Sequence, residues 1–172
     1  MSNIEMPVSS DDLLAKLDAW GISYVLHEHV ALRTVEDAKA VEAAMAVEGE
    51  SAFRVKNLYL RDKKKRNYLV TLEQDREIDL KALAAQLGAG NLSFGSADRL
   101  MQNLGILPGA VSPLAMVTGA EVGVRFVMDA AVKNATRIYM HPLVNDRTVA
   151  MDVADLWVVL EKLGVTVEFL EV

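Results

Sequence analysis

Nine residues constrain this chain more than any others: Gly105-Ile106-Leu107-Pro108-Gly109-Ala110-Val111-Ser112-Pro113. Two prolines each fix φ and remove an N–H donor. Two glycines admit backbone angles and close approaches that a Cβ forbids. With apolar sequence on both sides, the stretch predicts a stiff, turned loop with exposed backbone amides. Such a loop can hold a small ligand by its main chain. The same residues also fit a plainer reading, a helix C-cap at Gly105 followed by a Pro-Gly turn.

The elements around this loop follow from caps and periodicity. Ser9 or Ser10 caps a helix with Leu13, Leu14, Leu17 and Trp20 on one stripe, stopped by Gly21. Ile22 to Leu26 reads as a strand. Thr34 caps a helix to about Val47, and Gly49 falls in the following turn. Phe53 to Leu60 and Tyr68 to Leu72 read as a hairpin. Its first strand alternates Phe53, Val55, Asn57 and Tyr59 with Arg54, Lys56, Leu58 and Leu60. Asp79 caps a helix ending at Gly88, a short strand follows at Leu92 to Phe94, and Ser96 caps a helix from Ala97 to Leu104. Val122 to Met128 and Arg137 to Met140 read as buried strands, and Thr148 to Met151 as a weaker one. Asp152 caps a helix from Val153 to Leu163, and Val165 to Leu170 closes the chain as a strand. The order is not strictly βαβ. It predicts an α/β fold of the α+β type: one domain over residues 1–172, with a mixed, mainly antiparallel sheet and packed helices.

Composition removes several function classes. Of the 172 residues, 52% are hydrophobic, enough for a sizeable core. The absence of cysteine excludes disulfides, thiolate zinc sites and a cysteine nucleophile. Met1 to Pro7 lacks a basic stretch followed by an apolar one, so no secretory signal is expected. No apolar run is long enough to cross a bilayer. The net charge of −6 argues against general nucleic-acid binding through whole-protein charge, but leaves room for a local basic patch.

Lys56 and His141 each follow a strand-like apolar segment, and the Gly-Pro loop lies between them in sequence. Lysine is a compact charge suited to phosphate or carboxylate, and histidine can donate to, accept from or shape a polar substrate. Loop amides can position an ester carbonyl or a ribose hydroxyl. These parts suit a small pocket for an anionic nucleotide conjugate. His27 and His29 would share a strand face, with His141 as a conceivable third metal ligand. Without placeable carboxylates the set is incomplete, and hydrogen-bonding histidines are the favoured reading. The connector Arg61-Asp62-Lys63-Lys64-Lys65-Arg66-Asn67 reads as a solvated basic tip.

Three segments carry a resemblance. Lys56-Asn57-Leu58-Tyr59-Leu60-Arg61-Asp62-Lys63-Lys64 resembles the KNLFL(R/K)DKK motif of the YbaK/ProRS-associated editing domains. Leu104 to Pro113 resembles their GxxPGxVSP loop, and His141-Pro142-Leu143-Val144-Asn145 is similar to their HPLxN segment. The three occur in the family's order, and the likeness spans nearly the whole chain. It is greatest to the freestanding ProX type, the trans-acting alanyl-tRNA(Pro) deacylases. Tyr59 in place of the usual Phe, and Val55 where a small polar residue is common, are departures.

The resemblance implies the editing-domain fold and hydrolysis of the ester joining a wrong amino acid to the tRNA terminus. It implies that Lys56 engages the terminal phosphate, Gly105 positions the ribose and ester, and His141 shapes the amino-acid pocket. A substrate hydroxyl would help activate water. Asn57, Pro108, Gly109, Ser112 and Asn145 become expected substrate contacts, and Lys63, Lys64, Lys65 and Arg66 expected tRNA contacts. The expected partner is the acceptor end of mischarged tRNA(Pro), with prolyl-tRNA synthetase as a second candidate and neither DNA nor membrane. Cytoplasmic location, no metal and no cofactor complete the expectation. The alternatives are clearance of another small residue, such as Cys from tRNA(Pro), and a non-catalytic module that binds tRNA or a synthetase.

Overall fold

A two-residue strand, β2 (Ala52–Phe53), is followed after one residue by β3 (Val55–Arg61), and the two belong to different sheets. The computed structural model describes residues 6–32 and 34–171. Most of the N-terminal segment read for a secretory signal lies outside them. Before β2 come α1 (Ser10–Ala19), β1 (Val25–Glu28) and α2 (Val35–Met45). After β3 come β4 (Asn67–Glu73), α3 (Leu80–Leu87), β5 (Ser93–Phe94), α4 (Ala97–Leu104) and α5 (Met116–Gly119). Next are β6 (Arg125–Asp129), β7 (Arg137–Met140), β8 (Arg147–Asp152), α6 (Val153–Lys162) and β9 (Val167–Leu170). One sheet has the order β1-β8-β7-β2 and the other β5-β3-β4-β6-β9. Both are mixed, so the α+β architecture holds, with two sheets where the sequence suggested one.

Local chemistry explains most boundaries. The Ser9 hydroxyl accepts from the Asp12 amide at 3.0 Å, and the Thr34 hydroxyl from the Asp37 amide at 3.0 Å. Asp79 and Ser96 cap α3 and α4 in the same way. Asp152 stands at the N-cap of α6 but does not cap it; its carboxylate takes Arg137 Nη1 at 3.0 Å instead. Ile22 precedes the first strand rather than starting it. Its amide bonds the Leu17 carbonyl, and its side chain is buried in the main core. Val122 ends a short 3₁₀ turn, and Gly123, at φ +77°, redirects the chain before β6 begins. The stretch Pro113–Val122 forms helical turns that the sequence reading left blank. The last strand begins at Val167, two residues later than expected.

The hairpin alternates as its sequence implies. Phe53, Val55 and Tyr59 pack into the main core, which also holds Leu104, Ile106 and Leu114. Leu58 and Leu60 face a second cluster under α3, with Tyr68 and Leu83. Arg54 interrupts the strand because the chain changes sheets there.

The tip is built around a residue the sequence reading passed over. Asp62 is 6% exposed at the end of a run of cations. Its carboxylate accepts from the Lys64 and Arg66 amides at 2.9 Å each, from Arg66 Nε at 2.7 Å and from the Tyr68 hydroxyl at 2.8 Å. Burial alone would raise its pKa; the Arg66 amide, the Tyr68 hydroxyl and the Arg66 guanidinium outweigh it and pull it to about 2. A carboxyl with a depressed folded-state pKa adds stability that is present above its ordinary 3.8 and lost as pH falls toward about 2. Asp62→Asn should therefore lower stability by roughly 1.5–3 kcal/mol near neutral pH. Urea unfolding should show the gap to the wild type closing between pH 3.8 and about 2; a gap independent of pH would contradict an ionised Asp62.

Candidate active site

The sheet register brings the two sequence-distant candidates to one place. β2 pairs parallel with β7, with Phe53 opposite Ile138. Parallel strands advance together, so three residues further along each chain stand Lys56 and His141. Both line a cavity of about 460 Å³ between the sheet ends. Its walls are β3 through Val55, Lys56 and Asn57, the end of β7 through Tyr139 and Met140, and α2 through Ala38, Val41, Glu42 and Met45. Gly109 and Val111 of the Gly-Pro loop, Leu32, Thr148 and the turn at Gln74 and Asp75 close it. The volume is that of a small-ligand pocket, apolar in bulk with a few convergent polar groups.

Lys56 pairs with Leu72 at the open end of the hairpin. Its ammonium donates to the Arg76 carbonyl. Asn57, beside it, bridges two elements: its Nδ2 donates to the Val111 carbonyl at 3.0 Å, and its Oδ1 accepts from Thr71 Oγ1 at 2.6 Å. The Gly-Pro loop is thereby tied to the strand that carries Lys56. His141 Nδ1 lies 2.8 Å from the Arg147 carbonyl. A carbonyl only accepts, so Nδ1 carries the proton and Nε2 is the acceptor of the neutral ring. Burial pushes the His141 pKa down and the neighbouring His29 adds to this, against the Arg147 carbonyl and Asp146. The ring is therefore neutral at pH 7.

The other predicted residues divide. Gly109 lines the cavity at φ +90°, and a Cβ there would sit 3.3 Å from Asn145 Nδ2. Asn145 in turn donates to the Leu32 carbonyl at 3.2 Å, holding the segment before α2. Gly105 does not line the cavity. It is the left-handed C-cap of α4, and a Cβ there would meet Pro7 Cγ at 2.6 Å. Ser112 is fully buried and caps the next turn through the Leu114 amide at 3.1 Å. Pro108 is exposed and is absent from the lining. Lys63, Lys64, Lys65 and Arg66 are exposed at the tip, beyond the end of β3 at Arg61, itself five strand residues or roughly 17 Å from Lys56.

Two of the histidines, His29 and His141, are held by hydrogen bonds. His29 Nδ1 lies 2.7 Å from the Val30 carbonyl and Nε2 lies 2.8 Å from Thr148 Oγ1. His29 and His141 stand 6.4 Å apart between ring centroids. Among the described residues no three His, Asp or Glu side chains gather as a metal site.

Residues of the inner wall escaped the sequence reading. Arg54 Nη1 lies 3.3 Å from Glu42 Oε2, and its guanidinium stands over the Tyr139 ring at 5.6 Å. The Tyr139 hydroxyl donates to Glu50 Oε1 at 2.6 Å, and burial with that bond pushes its pKa up to about 12. Alternation placed Arg54 on the strand, but no local signal paired it with helix α2. Leu143, buried in the main core at φ +69°, lies outside the lining but within the HPLxN segment. A bulky side chain in the left-handed region is a strained choice, here inside the turn that carries His141 and Asn145.

Comparison with known proteins fits this geometry. Residues 33–157 match the family model described as an aminoacyl-tRNA editing domain. The chain belongs to the aminoacyl-tRNA editing-domain family. It is 36% identical over 160 residues to the prolyl-tRNA editing protein ProX of Acetoanaerobium sticklandii, covering 92% of this chain and 94% of that protein. It is 36% identical over 137 residues to prolyl-tRNA synthetase associated domain-containing protein 1 of Danio rerio, covering 78% and 72%. The fold matches a crystal structure of a protein proposed as a trans-editing enzyme for prolyl tRNA synthetase, with TM-score 0.66, 20% identity and coverage of 98% and 99%. The enzyme class is that of an aminoacyl-tRNA deacylase, a hydrolase of the ester bond.

Among the described residues, the glycine of the Gly-Pro loop that lines the cavity is Gly109. A left-handed non-glycine residue costs roughly 1–3 kcal/mol. Gly109→Ala and Gly123→Ala should both lose about that much in denaturant unfolding, since Gly123 has φ +77° and open space around it. Only Gly109→Ala should also lose deacylation. Equal activity in the two folded variants would remove the loop from the site.

Proposed function

We propose that this chain hydrolyses mischarged Ala-tRNA(Pro), with residues 1–172 acting as one editing domain. The observation that carries the reading is the meeting of Lys56, Asn57, Gly109 and His141 around one cavity. The Lys56 ammonium has three donors, one of them spent on the Arg76 carbonyl, and holds the terminal phosphate of the tRNA with the others. The ester lies against the Gly109 loop, which Asn57 keeps in register with Lys56. His141, neutral and fixed by Arg147, bounds the space for the amino-acid side chain. Water adds to the ester carbonyl and the carbonyl–ribose oxygen bond breaks; one water proton leaves with the ribose oxygen, the other goes to solvent, and the amino acid departs as its carboxylate. Among the described residues the cavity lining holds no serine or cysteine nucleophile, and the substrate's own ribose hydroxyl assists the water. A small apolar pocket separates alanine from a residue of similar size by only ~1–3 kcal/mol, so cysteine is the competing substrate to assay. Prolyl-tRNA synthetase as a partner and a cytoplasmic location belong to this reading. Among the described residues no helix is long and apolar enough to cross a membrane.

Single-turnover hydrolysis of Ala-tRNA(Pro) tests the reading. Lys56→Ala should fold, by circular dichroism, and lose roughly ten- to a hundredfold in rate from the missing charge-assisted contact. Misplacement of the ester adds up to another hundredfold. Lys56→Arg should recover little, because a planar fork does not replace a compact ammonium. Substrate lacking the adjacent ribose hydroxyl should be cleaved slowly by the intact protein. Near-normal cleavage by folded Lys56→Ala would sink the mechanism.

The basic tip is proposed to meet the tRNA away from the ester. Replacing Lys64 and Lys65 by Ala should weaken tRNA binding and flatten its salt slope by roughly one unit per lost phosphate contact. An unchanged slope would make the tip a solvated turn.

A further inference from the structure

Lysine reaches its target on a flexible four-carbon stem, so a lysine that must hold one phosphate needs something to fix its ammonium. In this chain the fixing group is a main-chain carbonyl, that of Arg76, in the turn that follows β4. A carbonyl in a turn is only as steady as the turn. This one is pinned from below by Asp129, the last residue of β6, which is 1% exposed. Asp129 Oδ2 accepts from the Glu73 amide at 3.1 Å and from Arg76 Nε at 2.5 Å. Its Oδ1 accepts from Arg76 Nη2 at 3.3 Å and from the Ala131 amide at 3.0 Å. Within the turn, the Arg76 amide donates to the Glu73 carbonyl at 3.0 Å, and the Gln74 amide donates to the Arg54 carbonyl at 2.9 Å. The turn is thus tied to β6 on one side and to the sheet-crossing residue on the other.

We infer that Asp129 and Arg76 are positioning residues for Lys56, a buried clamp that sets the carbonyl holding its ammonium over the cavity. This rests on the role of Lys56 proposed above. The clamp also has an electrostatic part. The Arg76 guanidinium belongs to the residue whose carbonyl binds Lys56, and Asp129 compensates that second cation. Without Asp129, an unpaired guanidinium would compete for the phosphate and repel the ammonium.

Two variants test this, Asp129→Asn and Arg76→Gln. Arg76→Gln leaves Asp129 its two backbone donors and is partly exposed, so it keeps the clamp testable if Asp129→Asn does not fold. Each should slow single-turnover hydrolysis of Ala-tRNA(Pro) by roughly tenfold or more, the scale of a misplaced reacting group. In a Lys56→Ala background the same changes should slow it no further, within about twofold, because their effect passes through Lys56. A merely structural role predicts the same fold-loss in both backgrounds, and that result would overturn the inference. Rates unchanged in the single variants would do so as well. The Lys56 ammonium proton resonance provides a readout independent of catalysis. Its exchange with water should quicken in both variants. If Lys56→Ala itself retains activity, the functional reading fails and the exchange measurement alone decides on the clamp: faster exchange supports it, unchanged exchange refutes it.

Discussion

The parallel pairing of β2 with β7 is the constraint on which the site depends. It consists of two residue pairs, Ala52 with Arg137 and Phe53 with Ile138. A slip by one residue in a strand sends every side chain to the opposite face. Phe53 and Ile138 are both buried in the main core, so their burial fixes the register. Everything three residues beyond then follows: Lys56 at one strand's continuation and His141 at the other's. The chain can leave β2 for a second sheet at once because Arg54 takes the crossing. Its carbonyl accepts the Gln74 amide, and its guanidinium reaches Glu42 and the Tyr139 ring. The crossing residue is thus also a wall of the cavity.

The hairpin from Val55 to Glu73 changes character along its length. At the open end a single ammonium is held by a carbonyl in a turn clamped to β6. At the closed end several cations stand in solvent around a buried aspartate. The contrast is physical. A phosphate next to a reacting ester requires a fixed partner, because rate depends on alignment at the ångström scale. Phosphates further along a nucleic acid require only charge, and mobile lysines supply that through counterion release. Asp62 shapes the tip: the Lys65 backbone takes the left-handed region, at φ +64°, and the Asp62 carboxylate satisfies the amides on either side of it.

Much of this was legible in the sequence wherever the signal is local. The caps at Ser9, Thr34, Asp79 and Ser96, the glycine stops at Gly88 and Gly105, and the β3–β4 hairpin follow from short-range chemistry. Position and residue type pointed to Lys56 and His141, the resemblance added Asn57, and all three line one cavity. What stayed hidden depends on partners distant in sequence. Arg54 reads as one more polar strand residue until the second sheet is known. Asp129 reads as the polar end of a strand, yet it is joined to Glu73 and Arg76, more than fifty residues away. Asp152 has the residue type of a cap, but Arg137 on the neighbouring strand takes its carboxylate. Periodicity cannot report a competition between a local and a distant partner. It likewise merged β2 with β3, since a change of sheet leaves alternation intact.

The Gly-Pro loop shows why a motif's residues need not share a task. The helix C-cap stands at Gly105, and the part of the loop that lines the cavity is at Gly109 and Val111. Gly105 is a helix C-cap whose missing Cβ admits Pro7, so its contribution is to packing. Gly109, four residues on, is exposed at φ +90° against Asn145, and there the absence of a side chain leaves room in the cavity. Between them Ile106 is buried in the main core, and beyond them Ser112 caps the helical turns from Pro113. Anchors on both sides hold the loop stiff, and Asn57 fixes its position from across the cavity through the Val111 carbonyl. A backbone so constrained keeps its place without side chains of its own. That is the property the proposed role of the loop, positioning an ester while contributing no nucleophile, would require.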